Sequence, residues 1–326
     1  MSQGRRRHFL IAAAGLAALS LPALAQTWPS RPIRILVPFA PGGSSDLAGR
    51  LVAQRMQEVL GQPVVVENRP GGGGILATDA VAKSPANGYT LLLAVAGPYI
   101  TAPLLQNAPY DPLRDFAPIS TLNGNPQVLV VHPGVPATNV RELIALAKAQ
   151  PGKLNISTSG PGALTEVSAI IFSKMAGAEM TLVPYKGGTS AVTALLSGEA
   201  HAHFTNPSEA IPQTRAGRLR ALAVTGSKAF APMPTVPTMV ESGLPGFVVE
   251  TWKGVVAPAG TPREIVNRLS GIIQELARDP VVRQRMEDTG MSPMGESPEE
   301  FQAFIQAQLN LWSKFFREYG IKPAGR

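Results

Sequence analysis

The sequence has 326 residues, 44% apolar and 16% charged, with 29 Lys and Arg against 22 Asp and Glu. That balance excludes a disordered polyelectrolyte, and the 32 Gly and 31 Pro follow no fixed period, which excludes collagen and coiled coils and predicts many tight turns. With no Cys in the chain, disulfides, thiolate nucleophiles and Cys-ligated metal clusters are excluded together.

Residues 1–25 read as an export signal. Arg5, Arg6 and Arg7 form a basic n-region, Phe9 to Leu19 a short apolar stretch, and Ala23-Leu24-Ala25 a small-x-small cleavage site before Gln26. Arg6-Arg7-His8-Phe9-Leu10 also fits a twin-arginine signal, so the Sec and twin-arginine routes both stay open. The apolar run is too short for a membrane span. Without the three arginines the net charge falls from +7 to +4, too little and too scattered to argue for nucleic acid.

Strand and helix signals then alternate. Ile33 to Val37 is a β-rich run, and apolar residues recur at helical spacing from Ala48 to Leu60, ending at Gly61. Val64 to Val66, a helix over 75–83 and Tyr89 to Ala94 follow. After the Pro-rich stretch 109–118 the rhythm restarts. The sequence predicts strands at 128–131, 154–157, 181–183, 201–203 and 219–224, with helices between. Thr138 is expected to cap the first of these helices, and Gly177 and Gly198 to end two others. Continuous apolar strands separated by helices predict parallel sheets covered on both faces. The C-terminal part reads as helical, with capping boxes at Thr261-Pro262-Arg263-Glu264 and Ser297-Pro298-Glu299-Glu300 and a third start at Asp279-Pro280. The fold class is therefore α/β with two lobes around a cleft. The expected boundaries are 27–125 plus 252–326 for lobe 1 and 126–251 for lobe 2. The motivation is that Val255-Val256-Ala257 needs a partner strand in the first lobe.

Two strand–helix loops could receive an anion. Pro41-Gly42-Gly43-Ser44-Ser45-Asp46 offers bare backbone, free N–H groups at a helix start and two hydroxyls. Asp46 would repel a carboxylate, and reads as a first-turn residue or a partner for a ligand amine or hydroxyl. Ser157-Thr158-Ser159-Gly160-Pro161-Gly162-Ala163-Leu164-Thr165 lies at the corresponding place in the second lobe. Ligands of open α/β sheets sit at the carboxyl ends of strands, where both loops fall. Lys186 reads as a turn or anion-contact residue rather than a Schiff-base lysine. Gly72-Gly73-Gly74-Ile75-Leu76-Ala77 matches a dinucleotide fingerprint, but the next strand carries no acid for a ribose. His201 and His203 share a strand face without a third ligand at a metal spacing, and no base–orienter pair can be named for catalysis.

Several runs resemble the Bug, or TctC-like, solute-binding proteins of tripartite tricarboxylate transporters. They are Trp28-Pro29-Ser30-Arg31-Pro32-Ile33, Val37-Pro38-Phe39-Ala40-Pro41-Gly42-Gly43-Ser44-Ser45-Asp46, Glu67-Asn68-Arg69-Pro70-Gly71, Val183-Pro184-Tyr185-Lys186-Gly187 and Trp252-Lys253-Gly254. The resemblance implies a monomeric periplasmic protein closing on a small carboxylated solute, without cofactor, metal or catalysis. The partners it implies are transporter membrane subunits or a sensor. The alternative reading is a secreted α/β hydrolase or lyase acting on a small carboxylic acid. The resemblance places ligand contacts on Phe39, Gly42, Gly43, Ser44, Ser45 and Asp46 in the first lobe and Ser159, Gly162, Ala163, Leu164 and Thr165 in the second. Gly97, Lys186, Thr205 and Asn206 supply the remaining walls. The chain departs from the family where Ala163 and Glu166 replace a usual Ser and His. It departs again where Thr205 replaces a usual Asp, exchanging a carboxylate for a hydroxyl.

Overall fold

The computed structural model describes residues 28–321, so the expected signal at 1–25 lies outside the described residues. β1 (Ile33–Val37) leads through the first glycine loop into α1 (Ser44–Leu60), which stops at Gly61 in the left-handed conformation. β2 (Val64–Asn68), α2 (Ile75–Ala82) and β3 (Thr90–Val95) follow. A π-helical turn over Gly97–Thr101 then leads to α3 (Ala102–Leu105) and the long strand β4 (Phe116–Pro126). The second run comprises β5 (Val128–Val131), α4 (Val140–Ala149), β6 (Asn155–Thr158), α5 (Leu164–Ala176), β7 (Thr181–Pro184), α6 (Gly188–Leu196), β8 (Ala202–Thr205), α7 (Pro207–Arg215) and β9 (Arg220–Val224). The chain ends with β10 (Glu250–Pro258), α8 (Arg263–Arg278), α9 (Pro280–Asp288), β11 (Ser292–Pro293) and α10 (Pro298–Glu318).

One sheet runs β11-β4-β10-β3-β1-β2 and the other β7-β6-β8-β5-β9. The chain passes between them twice, once at Gln127 and once before Glu250. The two passages are tied together: Gln127 N–H donates to Thr225 Oγ1 at 2.8 Å, Val249 N–H donates to Thr225 O at 2.9 Å, and Thr225 Oγ1 donates to Val249 O. The sheets are mixed, which corrects the parallel expectation. β10 is antiparallel to β3 and β4, and β5 is antiparallel to β8 and β9. β5 and β10 are the strands on which the chain enters a sheet from the other, and neither is preceded by the helical crossover that joins parallel neighbours. Val255 to Ala257 lie in β10, between β3 and β4.

Local chemistry explains most helix ends and corrects two. Asn139, not Thr138, caps α4, accepting from Glu142 N–H at 3.0 Å, while Thr138 bonds the Glu142 carboxylate. No capping box forms at Thr261, whose hydroxyl turns back to Pro258 O at 2.8 Å. The box at Ser297–Glu300 and the Asp279 cap form as the sequence predicts. The apolar β3, the π-helical turn, α5 and the inner strands of the second sheet share one continuous core, in which Tyr99, Phe172, Phe204, Trp252 and Phe301 are buried. That packing fixes the strand ends that carry the cleft. Among the described residues no helix is long and apolar enough to cross a membrane.

Candidate solute-binding cleft

The loops following β1, β3, β6 and β8 meet around a cleft of about 510 Å³, open solvent at its mouth included. From the first sheet, Phe39, Gly43, Ser44, Ser45 and Gly97 line it; from the second, Ser159, Ala163, Leu164, Thr165 and Asn206 do so. The starts of α1 and α5 thus face one space. Their N-cap residues, Gly43 and Ala163, provide no side-chain cap, so first-turn N–H groups remain available to an anion. The walls are in close contact. Thr101 Oγ1 donates to Gly162 O at 2.8 Å, and a Cβ on Gly97 would stand 2.9 Å from Leu164 N.

The other expected contacts lie outside the lining. Gly42 and Asp46 close on each other: Gly42 N–H and Arg50 Nε both donate to Asp46 Oδ2, at 3.0 and 2.9 Å. Burial raises the Asp46 pKa, but hydrogen bonds from Arg50, Gly42 and Asn68 outweigh it and hold the carboxyl below its ordinary value. Gly162 N–H donates to Glu166 Oε2 at 2.6 Å, and burial pushes the Glu166 carboxyl above its ordinary value. Lys186 is exposed and does not line the cleft, although the next residue, Gly187, packs against Phe39 and Ala40 of the lining. Thr205 is buried beneath the wall, its hydroxyl donating to Glu209 Oε2 at 2.7 Å.

Sequence reasoning missed Gln127, Thr189, Glu209, Thr251 and Lys253, which also line the cleft. Glu209 is the instructive case. Asn206-Pro207-Ser208-Glu209 carries the same start signal as Ser297-Pro298-Glu299-Glu300, and a capping box forms there. The carboxylate thought lost at Thr205 is therefore restored one helical turn later. Its Oε1 rests against two helix starts: a Cβ on Gly43 would stand 3.2 Å from it, and one on Gly188 2.6 Å. Lys253 could have been found by alternation along β10, since Thr251 and Lys253 share one face while Trp252 packs on Phe301 on the other.

His201 Nδ1 accepts from Asn155 N–H at 2.9 Å. His203 is buried with Nδ1 2.6 Å from Ser157 O, and burial lowers its pKa. Among the described residues no group of three or more His, Asp or Glu could hold a metal ion.

The chain matches, over residues 48–321, the family described as the tripartite tricarboxylate transporter family receptor, and it belongs to that family. Its class is accordingly a two-lobed α/β solute-binding receptor, which sets aside the hydrolase or lyase alternative. It is 39% identical to Protein BugT of Bordetella pertussis, over 96% of this chain and 95% of that protein. It superposes on R. palustris Rpa4515 with adipate with a TM-score of 0.88 at 36% identity, covering 91% of this chain and 99% of that one. A third relative, described as the periplasmic binding protein BugD, gives 0.87 at 33% identity, covering 91% and 100%.

Proposed function

We propose that this receptor works in the periplasm, capturing a small carboxylated solute between a lobe of residues 27–125 plus 252–326 and a lobe of residues 126–251. The observation that carries this reading is the convergence of two helix starts without side-chain caps, α1 and α5, on one cleft with Ser44, Ser45, Ser159 and Thr165. Backbone N–H groups and the helix dipole favour an anion there. The adipate bound by Rpa4515 and the periplasmic description of BugD support the ligand class and the compartment. The loaded form is a monomer that presents its solute to transporter membrane subunits or to a sensor.

Native mass spectrometry of freshly purified protein, followed by calorimetric titration with the acid identified, tests this. A retained carboxylic acid that binds stoichiometrically and is returned unchanged is the expected result. Hydrolysis or elimination of the bound acid would refute it. The exported protein should begin at Gln26, and changing Arg6 and Arg7 to Lys should block export only on the twin-arginine route.

A further inference from the structure

Lys253 is 1% exposed, lies on the cleft-facing side of β10, and has no hydrogen-bond partner at Nζ among the described residues. A buried ammonium without a partner is strongly unfavourable, and its usual remedy is an opposite charge. Glu209 acts on Lys253 electrostatically but does not close an ion pair with it. The Glu209 carboxylate is engaged elsewhere: Oε2 accepts from Thr205 Oγ1 and Asn206 N–H, and Oε1 lies against Gly43 and Gly188 at the starts of α1 and α6. Two consequences follow. The α1 start already faces a carboxylate of the protein itself, which leaves the α5 start, with Ser159 and Thr165, as the more open anion site. Lys253, the one basic residue in the described lining, is left for a group brought by the solute.

We propose that Lys253 is the specificity-determining residue of the cleft, its ammonium receiving the second carboxylate of a dicarboxylic acid whose first carboxylate lies on the start of α5. This rests on the carboxylate reading above and adds to it a count of charges and an address for each. A single carboxylate would satisfy the α5 start and leave Lys253 unpaired in a closed cleft. A diacid satisfies both. Burial lowers the Lys253 pKa to about 8, so the ammonium still predominates at neutral pH.

The test pairs acids of equal chain length, adipate with hexanoate and succinate with butyrate, in calorimetric titrations of the wild type, Lys253→Met and Lys253→Arg. The wild type should bind its preferred diacid about tenfold or more tightly than the matched monoacid. Lys253→Met should lose about thirtyfold for the diacid, change within about threefold for the monoacid, and melt at a higher temperature than wild type without solute. Lys253→Arg should retain the diacid preference. Equal losses for both acids, a diacid preference that survives in Lys253→Met, or a lowered melting temperature would overturn the assignment, the last by making Lys253 a structural residue. Should Lys253→Met fail to fold, Lys253→Gln takes the same titrations and melts. If no acid in the panel binds the wild type, the carboxylate reading itself falls, and the assignment with it.

Discussion

Pro41-Gly42-Gly43-Ser44-Ser45-Asp46 and Pro161-Gly162-Ala163-Leu164-Thr165-Glu166 have the same plan. Each follows an inner strand of its sheet. Each has a left-handed glycine after proline, an N-cap without a capping side chain, a hydroxyl residue next to last and an acid that accepts the glycine's N–H. They differ in what surrounds the acid. Asp46 is paired with Arg50, whereas Glu166 is half-buried, has no basic partner among the described residues and is pushed toward its neutral form by burial. The hydroxyls differ too: Thr165 Oγ1 accepts from Ser159 N–H at 2.8 Å. The acid of one wall is thus held toward its ionised form and the acid of the other toward its neutral form. Backbone geometry creates an anion site; neighbouring side chains decide how strongly it holds an anion at a given pH.

The comparison breaks most severely if the walls cannot meet. Gly97 has an ordinary backbone conformation, so alanine there introduces no local strain, yet its Cβ would stand 2.9 Å from Leu164 N and 3.1 Å from Ala163 Cα. Gly97→Ala should weaken solute binding about a hundredfold with little loss of thermal stability. Calorimetry with a parallel melt checks this, and unchanged affinity would show that closure is not required. Gly43→Val should act similarly but less, since its Cβ meets the side-chain ends Thr189 Oγ1 and Glu209 Oε1 at 3.1 and 3.2 Å.

A second break concerns pH. Lys253 is held near 8 by burial, although Glu209 pulls it upward; His203, which also feels Glu209, is driven toward its neutral form by burial. Diacid affinity should fall about tenfold per pH unit above 8 as the ammonium is lost. The solute-free fold should gain stability over the same window, because the unfolded chain keeps this proton up to 10.5 and so binds more protons than the folded one. Parallel titrations and melts between pH 7 and 10 should show these opposite trends; a common trend would refute the prediction.

The hydroxyls come next. Thr165→Val orphans the buried Ser159 N–H and should cost about 1–3 kcal/mol of stability and roughly tenfold in affinity. Ser45→Ala, which removes a buried hydroxyl without a protein hydrogen bond among the described residues, should change affinity less than threefold by the same titration. The smallest effects separate the acids. Asp46 has a lowered folded pKa, so its contribution is present above 3.8 and lost as pH falls; Asp46→Asn should flatten the acid limb of a melting-temperature profile. Glu166 has a raised folded pKa, so stability is lost as pH rises from 4.5 through that value; Glu166→Gln should remove that loss. Identical profiles for the two variants would erase the distinction between the walls.

The sequence made β1 and β5 legible to the residue, because runs rich in Val, Ile and Leu end just before Pro38 and before His132-Pro133. β4 was hidden by Pro118, Gly124 and Pro126. β11 pairs only with Asn123 and Gly124, so most of that side of β4 is an edge where proline is tolerated. Both glycine loops could be found from local pattern, since strand, turn and helix start are contiguous in the chain. For Glu209 and Lys253 the local pattern marks a helix start and a strand face, but not that either borders the cleft. Lys253 lies far along the chain from every other lining residue except Thr251, and only the return of β10 into the first sheet brings it there. At Thr205 the sequence alone shows a hydroxyl in place of the family's usual Asp, since the hydrogen bond that links it to the Glu209 carboxylate exists only once α7 forms.

The double duty of Glu209 constrains how such a receptor can diversify. It caps α7 and also lines the cleft, so on the proposed reading altering the acid should change selectivity and loosen a helix start in one step, by about 1 kcal/mol. The Lys253 ammonium has no hydrogen-bond partner among the described residues, and its replacement by an apolar residue should strengthen the fold. Among mutational neighbours, the route to a new solute is therefore uphill at 209 and downhill at 253. Descendants of this sequence should vary at the lysine first and at the glutamate only after a stabilising change elsewhere.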